Sequence, residues 1–94
     1  MIKIPNATLI TGASEGLGLE LAQCFALTGS PLVLVARNKT RLDEIAADMR
    51  ARHAIEVRTF PKDLSLPNAA EELKTELDRE GIHINTLVNN AGCG

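Results

Sequence analysis

Thr11-Gly12-Ala13-Ser14-Glu15-Gly16-Leu17-Gly18 is a glycine-rich octapeptide near the start of the chain. The apolar run Ala7-Thr8-Leu9-Ile10 precedes it, and Leu19-Glu20-Leu21-Ala22-Gln23-Cys24-Phe25 follows. A buried strand, a glycine-rich turn and a helix are therefore written in succession. Small residues in such a turn let the backbone approach an anion, and the unpaired N–H groups of the first helical turn point at it. The glycines are spaced G-x-x-x-G-x-G, and no Gly-Lys-Ser/Thr follows, which excludes a P-loop.

Working outward, the same alternation repeats. Residues 7–11 read as the first strand, almost continuously apolar as a parallel strand covered on both faces must be. A helix is expected over 17–28, with Leu17, Leu21, Ala22, Phe25 and Ala26 on its buried stripe, Cys24 as a small core residue, and Gly29 as its stop. Pro31–Ala36 is a second strand. Lys39–His53 is a second helix, with Leu42, Ile45, Ala46 and Met49 at i, i+3, i+4, i+7. Residues 55–60 alternate as a third strand, and Asp63-Leu64-Ser65 is a loop. Pro67 suits the first turn of a third helix with Leu66, Ala70, Leu73 and Leu77 inward and Gly81 at its end. Thr86–Asn89 is the fourth strand, with His83 in the segment before it.

The order β-α-β-α-β-α-β with short connections implies a parallel sheet with right-handed crossovers. The fold class is α/β, a Rossmann-like sheet in the order 3-2-1-4, half of a doubly wound dinucleotide-binding fold. Strand four is then an apolar edge, so the sequence reads as a single incomplete domain over 1–94. The chain has 94 residues and a net charge of −2, with 45% hydrophobic and 23% charged residues. That balance gives no basic patch for nucleic acid or an anionic membrane, and no apolar run approaches a membrane span. The N-terminus lacks the pattern of a signal peptide, and a cytoplasmic location is expected. Cys24 and Cys93 show no metal-ligand spacing, and neither a disulfide nor a metal is expected.

Three further features fall in register with the glycine turn. They are Asn89-Asn90-Ala91-Gly92 after strand four, Asp63-Leu64 after strand three, and Arg37 at the tip of strand two. Together with Thr11-Gly-x-x-x-Gly-x-Gly, over about residues 7–92, the chain resembles the short-chain dehydrogenase/reductase family. The resemblance implies a nicotinamide cofactor. Gly12 gives the tight turn, Gly16 the close approach of pyrophosphate, and Gly18 the close packing of helix on strand. Ser14 offers a hydroxyl and an N–H to phosphate, and Leu17 adjoins it. Asp63 faces the adenine amino group, with Leu64 beside it. Asn90, Ala91 and Gly92 line the adenosine ribose and the floor below the nicotinamide. Thr11 and Asn89 are expected to tie loops together.

Cofactor choice turns on strand two, where an acidic residue marks NAD and an arginine marks NADP. No carboxylate appears there before Asp43, and the planar fork of Arg37 suits a phosphate. Lys39 and Arg41 add positive potential. Glu15 opposes it unless it turns to solvent or pairs with a base. NADP is the expected cofactor and NAD the alternative.

The resemblance also implies a catalytic tyrosine, a lysine four residues later and an upstream serine. The chain contains no tyrosine, and no serine after Ser65. It is therefore read as the cofactor-gripping part of an oxidoreductase that moves hydride between a carbonyl or alcohol and NADP(H). Alone it is expected to be inactive, with no catalytic residue of its own. His53 and His83 lie away from the turn, and Glu71, Glu72 and Glu76 read as a solvated helix face. The alternative is a non-catalytic nucleotide-binding or interaction module that pairs through the strand-four edge. Substrate and oligomeric state are not encoded in this stretch.

Overall fold

The computed structural model describes residues 4–14 and 16–89. Seven elements alternate: β1 (Ile4–Thr11), α1 (Gly16–Leu27), β2 (Leu32–Ala36), α2 (Lys39–His53), β3 (Val57–Pro61), α3 (Ala69–Arg79) and β4 (Ile82–Val88). The strands form one sheet in the order β3-β2-β1-β4. Every pairing is parallel, with Leu9 opposite Val33 and Leu87, and Leu34 opposite Thr59.

Strand periodicity divides the core. Ile10, Leu32, Leu34 and Val57 meet Ala22 and Ala26 of α1 and Leu42, Ile45, Ala46 and Met49 of α2. The alternate residues Leu9, Val33, Val35 and Phe60 meet Leu73 and Leu77 of α3. Side chains on a strand point alternately to opposite faces, so β2 is apolar throughout because helices cover both faces. The chain moves from β1 outward to β2 and β3, then crosses to β4 on the other side of β1. The strand order reverses at β1, which is where doubly wound sheets place their ligands.

Several local expectations are corrected. β1 begins at Ile4 rather than residue 7, because a bulge absorbs Pro5 and Asn6: Asn6 takes φ +58, and the register with β4 shifts between Ile4 and Ala7. β4 begins at Ile82 and contains His83, because its alternating Ile-His-Ile-Asn pattern is that of a half-covered strand. β3 runs over Val57–Pro61. α3 starts at Ala69, after Asn68 turns left-handed at φ +67, so Pro67 lies in the preceding turn. Its buried stripe is Ala69, Leu73 and Leu77, whereas Leu66 is 58% exposed and Ala70 is exposed.

α1 also differs. Its buried face is Gly18, Ala22 and Ala26, a row of small residues spaced by four. Such a row brings the helix backbone close to the sheet, and the larger Leu21 and Phe25 sit only half buried at its sides. Leu17 is 60% exposed, and Cys24 is exposed with a free thiol. No helix among the described residues is long and apolar enough to cross a membrane.

Candidate functional site

The carboxyl ends of β1, β2 and β3 form one rim, and backbone bonds set its shape. Ala13 N–H donates to the Val35 carbonyl at 3.2 Å, tying the glycine turn to β2. Lys62 N–H donates to the Ala36 carbonyl at 2.9 Å, tying the exit of β3 to the tip of β2. Gly12 and Gly16 have φ +63 and +60, in the left-handed region that a side chain resists. A Cβ at Gly16 would meet no atom within 4 Å, so the requirement there is backbone conformation and open access rather than packing. Ser14 is half buried in this turn, Leu17 is exposed in the first turn of α1, and Gly18 is buried against the sheet.

The predicted loop tie is present. Thr11 Oγ1 donates toward Asn89 Oδ1 at 3.2 Å and lies 3.5 Å from the Val88 carbonyl. It fastens the end of β1 to the end of β4 across the point where strand order reverses. Asn90, Ala91 and Gly92, and Glu15 in the glycine turn, lie outside the described residues.

Arg37 stands exposed immediately after β2. Among the described residues, no carboxylate lies within ion-pair distance of it. The neighbouring cations are engaged. Lys39 pairs with Asp43 at 2.7 Å, and Arg41 reaches Glu44 at 4.0 Å. Asn38 caps α2, its side-chain oxygen accepting from Arg41 N–H at 3.0 Å. The positive potential expected of Lys39 and Arg41 is therefore largely neutralised on the α2 surface, and Arg37 is the cation presented at the rim.

Asp63 sits on the same rim, half buried. Its Oδ1 accepts from Ser65 N–H at 3.0 Å and from the Ser65 hydroxyl. These bonds, with a smaller contribution from the charge of Arg37, hold its carboxyl below the usual carboxylate range. Leu64 is half buried and packs against the α3-side core, which anchors the loop under Asp63. Lys62, one residue earlier, turns the other way. It bridges Glu76 at 2.6 Å and Glu72 at 3.5 Å, beside a polar depression on α3 that also includes Asn68 and Arg79. Within that depression Lys62 is paired, whereas Glu71 and Arg79 form no ion pair among the described residues. Glu72 and Glu76 thus have a partner that sequence reasoning did not assign.

His53 ends α2 and His83 lies within β4, both away from the glycine turn. Among the described residues, no group of three or more His, Cys, Asp or Glu could hold a metal. The rim offers an anion-tolerant turn, an available guanidinium and an ionised carboxylate. That set can bind a phosphorylated adenosine.

The short chain dehydrogenase family model matches residues 6–94. The chain is 37% identical over 86 residues to a very-long-chain 3-oxoacyl-CoA reductase of Pyrenophora tritici-repentis, covering 89% of this chain and 25% of that protein. It superposes on a short-chain dehydrogenase from Sphingobium yanoikuyae in complex with NADPH with a TM-score of 0.83 and 41% identity, covering 93% of this chain and 34% of the other. L-Sorbose reductase from Gluconobacter frateurii, complexed with NADPH and L-sorbose, gives a TM-score of 0.86 at 34% identity, covering 100% of this chain and 36% of that one. The chain therefore spans about a quarter to a third of the length of these proteins.

Proposed function

Because the chain belongs to the short-chain dehydrogenase family, we propose that it is the NADP(H)-gripping part of an oxidoreductase acting on a carbonyl or alcohol. The observation that carries the cofactor choice is Arg37, placed at the tip of β2 with no carboxylate partner among the described residues. A guanidinium in that setting can take a 2′-phosphate through paired hydrogen bonds. The likeness to proteins complexed with NADPH supports the same reading.

The residues present fit the group. Gly12 and Gly16 already hold the left-handed conformations that clear the backbone for pyrophosphate, and Ser14 and the start of α1 offer donors to it. Asp63 is ionised and keeps Oδ2 without a hydrogen-bond partner among the described residues, so it can accept from an adenine amino group. When bound, the nicotinamide supplies or accepts the hydride. These residues orient its carrier and perform no proton transfer.

The 94 residues contain no tyrosine, so the acid–base group that the family resemblance implies is not among them. The chain by itself is expected to bind cofactor and to turn over no substrate. Calorimetric titration with NADPH, NADH and ATP tests the reading. NADPH is expected to bind more tightly than NADH, and both more tightly than ATP. Equal affinity for the two dinucleotides would remove the assigned role of Arg37. Steady hydride transfer by the purified chain would contradict the division of labour.

A further inference from the structure

We propose that Ser65 is a positioning residue: by holding the Asp63 carboxylate, it keeps that group from pairing with Arg37 and leaves the guanidinium available to a 2′-phosphate. The inference rests on the reading of the rim as an NADP(H) site.

Carboxylates and cations that share a surface of this molecule generally pair. Lys39 takes Asp43, Arg52 takes Asp48, Arg58 takes Glu56 and Glu80, and Lys62 takes Glu72 and Glu76. Arg37 and Asp63 share the rim without pairing. Arg37 follows Ala36 and Asp63 follows Lys62, and the Lys62 N–H on the Ala36 carbonyl at 2.9 Å brings both to one rim, yet they do not come within the 4.0 Å of an ion pair.

The difference lies two residues away. Asp63 Oδ1 accepts two hydrogen bonds from Ser65, one from the backbone N–H and one from the hydroxyl, and the loop is closed by Leu66 N–H on the Asp63 carbonyl at 3.1 Å. The Ser65 hydroxyl has no other hydrogen-bond partner among the described residues, so its contribution is spent on Asp63. Two bonds to one oxygen fix the side-chain rotamer of a short residue. Ser65 is exposed, so truncating its side chain is expected to leave the fold intact. Without its hydroxyl, Asp63 gains the freedom to turn toward Arg37, and an anion already on Arg37 competes with the cofactor phosphate.

The test is the preference for NADPH over NADH, measured by calorimetry on the purified chain as wild type, S65A, S65T and D63N, and as S65A in the D63N background. An exposed ion pair is worth a factor of about two to five, so S65A is expected to lower the NADPH preference by about that factor. S65T, which retains a hydroxyl, is expected to keep the preference. In the D63N background, S65A is expected to change the preference no further, because no carboxylate is left to release. A purely structural role for Ser65 weakens both nucleotides together and leaves their ratio alone. A wild-type chain that prefers NADPH while S65A keeps the full preference overturns this inference alone, as does an equal drop with and without Asp63. A wild-type chain with no preference overturns it together with the cofactor reading.

Discussion

Lys62 and Asp63 are neighbours in the chain and belong to two different surfaces. Lys62 faces the flank of β3 and α3, where it is claimed by Glu72 and Glu76. Asp63 faces the rim at the strand ends, where it is held by a serine and stands near a cation that it does not pair with. On that flank Arg58 and Lys62 both have carboxylate partners, as Lys39 and Arg52 do on α2. The rim keeps its charges apart. Exposed pairs contribute little to stability, so the flank pairs mainly neutralise the surface, whereas a group left without a partner is free to recognise something else. A charge is thus better judged by its partners than by its presence.

The strongest way to break this contrast is at the glycine turn. Gly16→Val puts a β-branched residue at φ +60, a strain of about 1–3 kcal/mol. It is expected to lower affinity for NADPH and NADH alike by about tenfold or more. Calorimetry on the folded variant checks this, and normal binding would show that the turn does not receive phosphate. No comparable loss is expected from a change on the flank.

Asn38→Ala removes the cap that begins α2 beside Arg37, at a cost of about 1 kcal/mol. In a domain of this size that lowers the melting temperature by about 4–8 °C. Thermal unfolding followed by circular dichroism measures it. Recovery of the loss in Asn38→Asp, which also caps, would assign the effect to the cap.

The two surfaces also separate on the pH scale. Asp63 has a depressed folded-state pKa, because Ser65 and then Arg37 favour its charged form. Its contribution to stability is present above the ordinary carboxylate value of about 3.9 and is lost as pH falls from there through the lower folded value. Asp43 behaves likewise, chiefly through its hydrogen bond to Lys39. Lys62 has a raised pKa, mainly from Glu76, so its contribution holds below about 10.4 and is lost as pH rises through the folded value. S65A is therefore expected to move acid unfolding toward neutral pH without affecting the alkaline side, and Lys62→Met to do the reverse. Chemical denaturation across pH would reveal either variant acting at the wrong end.

The smallest effect sharpens the contrast by being nearly absent. Lys39→Ala removes a cation two residues from Arg37 that is already committed to Asp43. NADPH affinity is expected to stay within about twofold of wild type, as for a surface charge whose field is already screened. A large loss would mean that the cofactor phosphate draws Lys39 away from its partner.

Much of this was legible in the sequence, for identifiable reasons. α2 is legible with its observed bounds because Leu42, Ile45, Ala46 and Met49 recur at the helical period. The strand order followed from alternation and short connections. The Thr11–Asn89 tie is present as expected, and Arg37 follows directly after β2. What was missed depended on contacts distant in sequence. The buried face of α1 is glycine and alanine, so its larger apolar residues mislead: Leu17 is exposed, and so is Cys24, expected in the core. Pro5 and Asn6 look like a break but are absorbed by a bulge against β4. The partners of Lys62 come from α3, a pairing that only the fold creates.

Arg37 is proposed as the rim cation that recognises a 2′-phosphate. The most direct test compares wild type with Arg37→Ala for NADPH and NADH binding under one ionic strength. A charge-assisted Arg–phosphate contact is worth about 1.5–3 kcal/mol, so NADPH affinity is predicted to fall by about tenfold or more while NADH affinity stays nearly constant. If Arg37→Ala keeps the wild-type preference for NADPH, or weakens both dinucleotides equally, the rim does not read the cofactor as described.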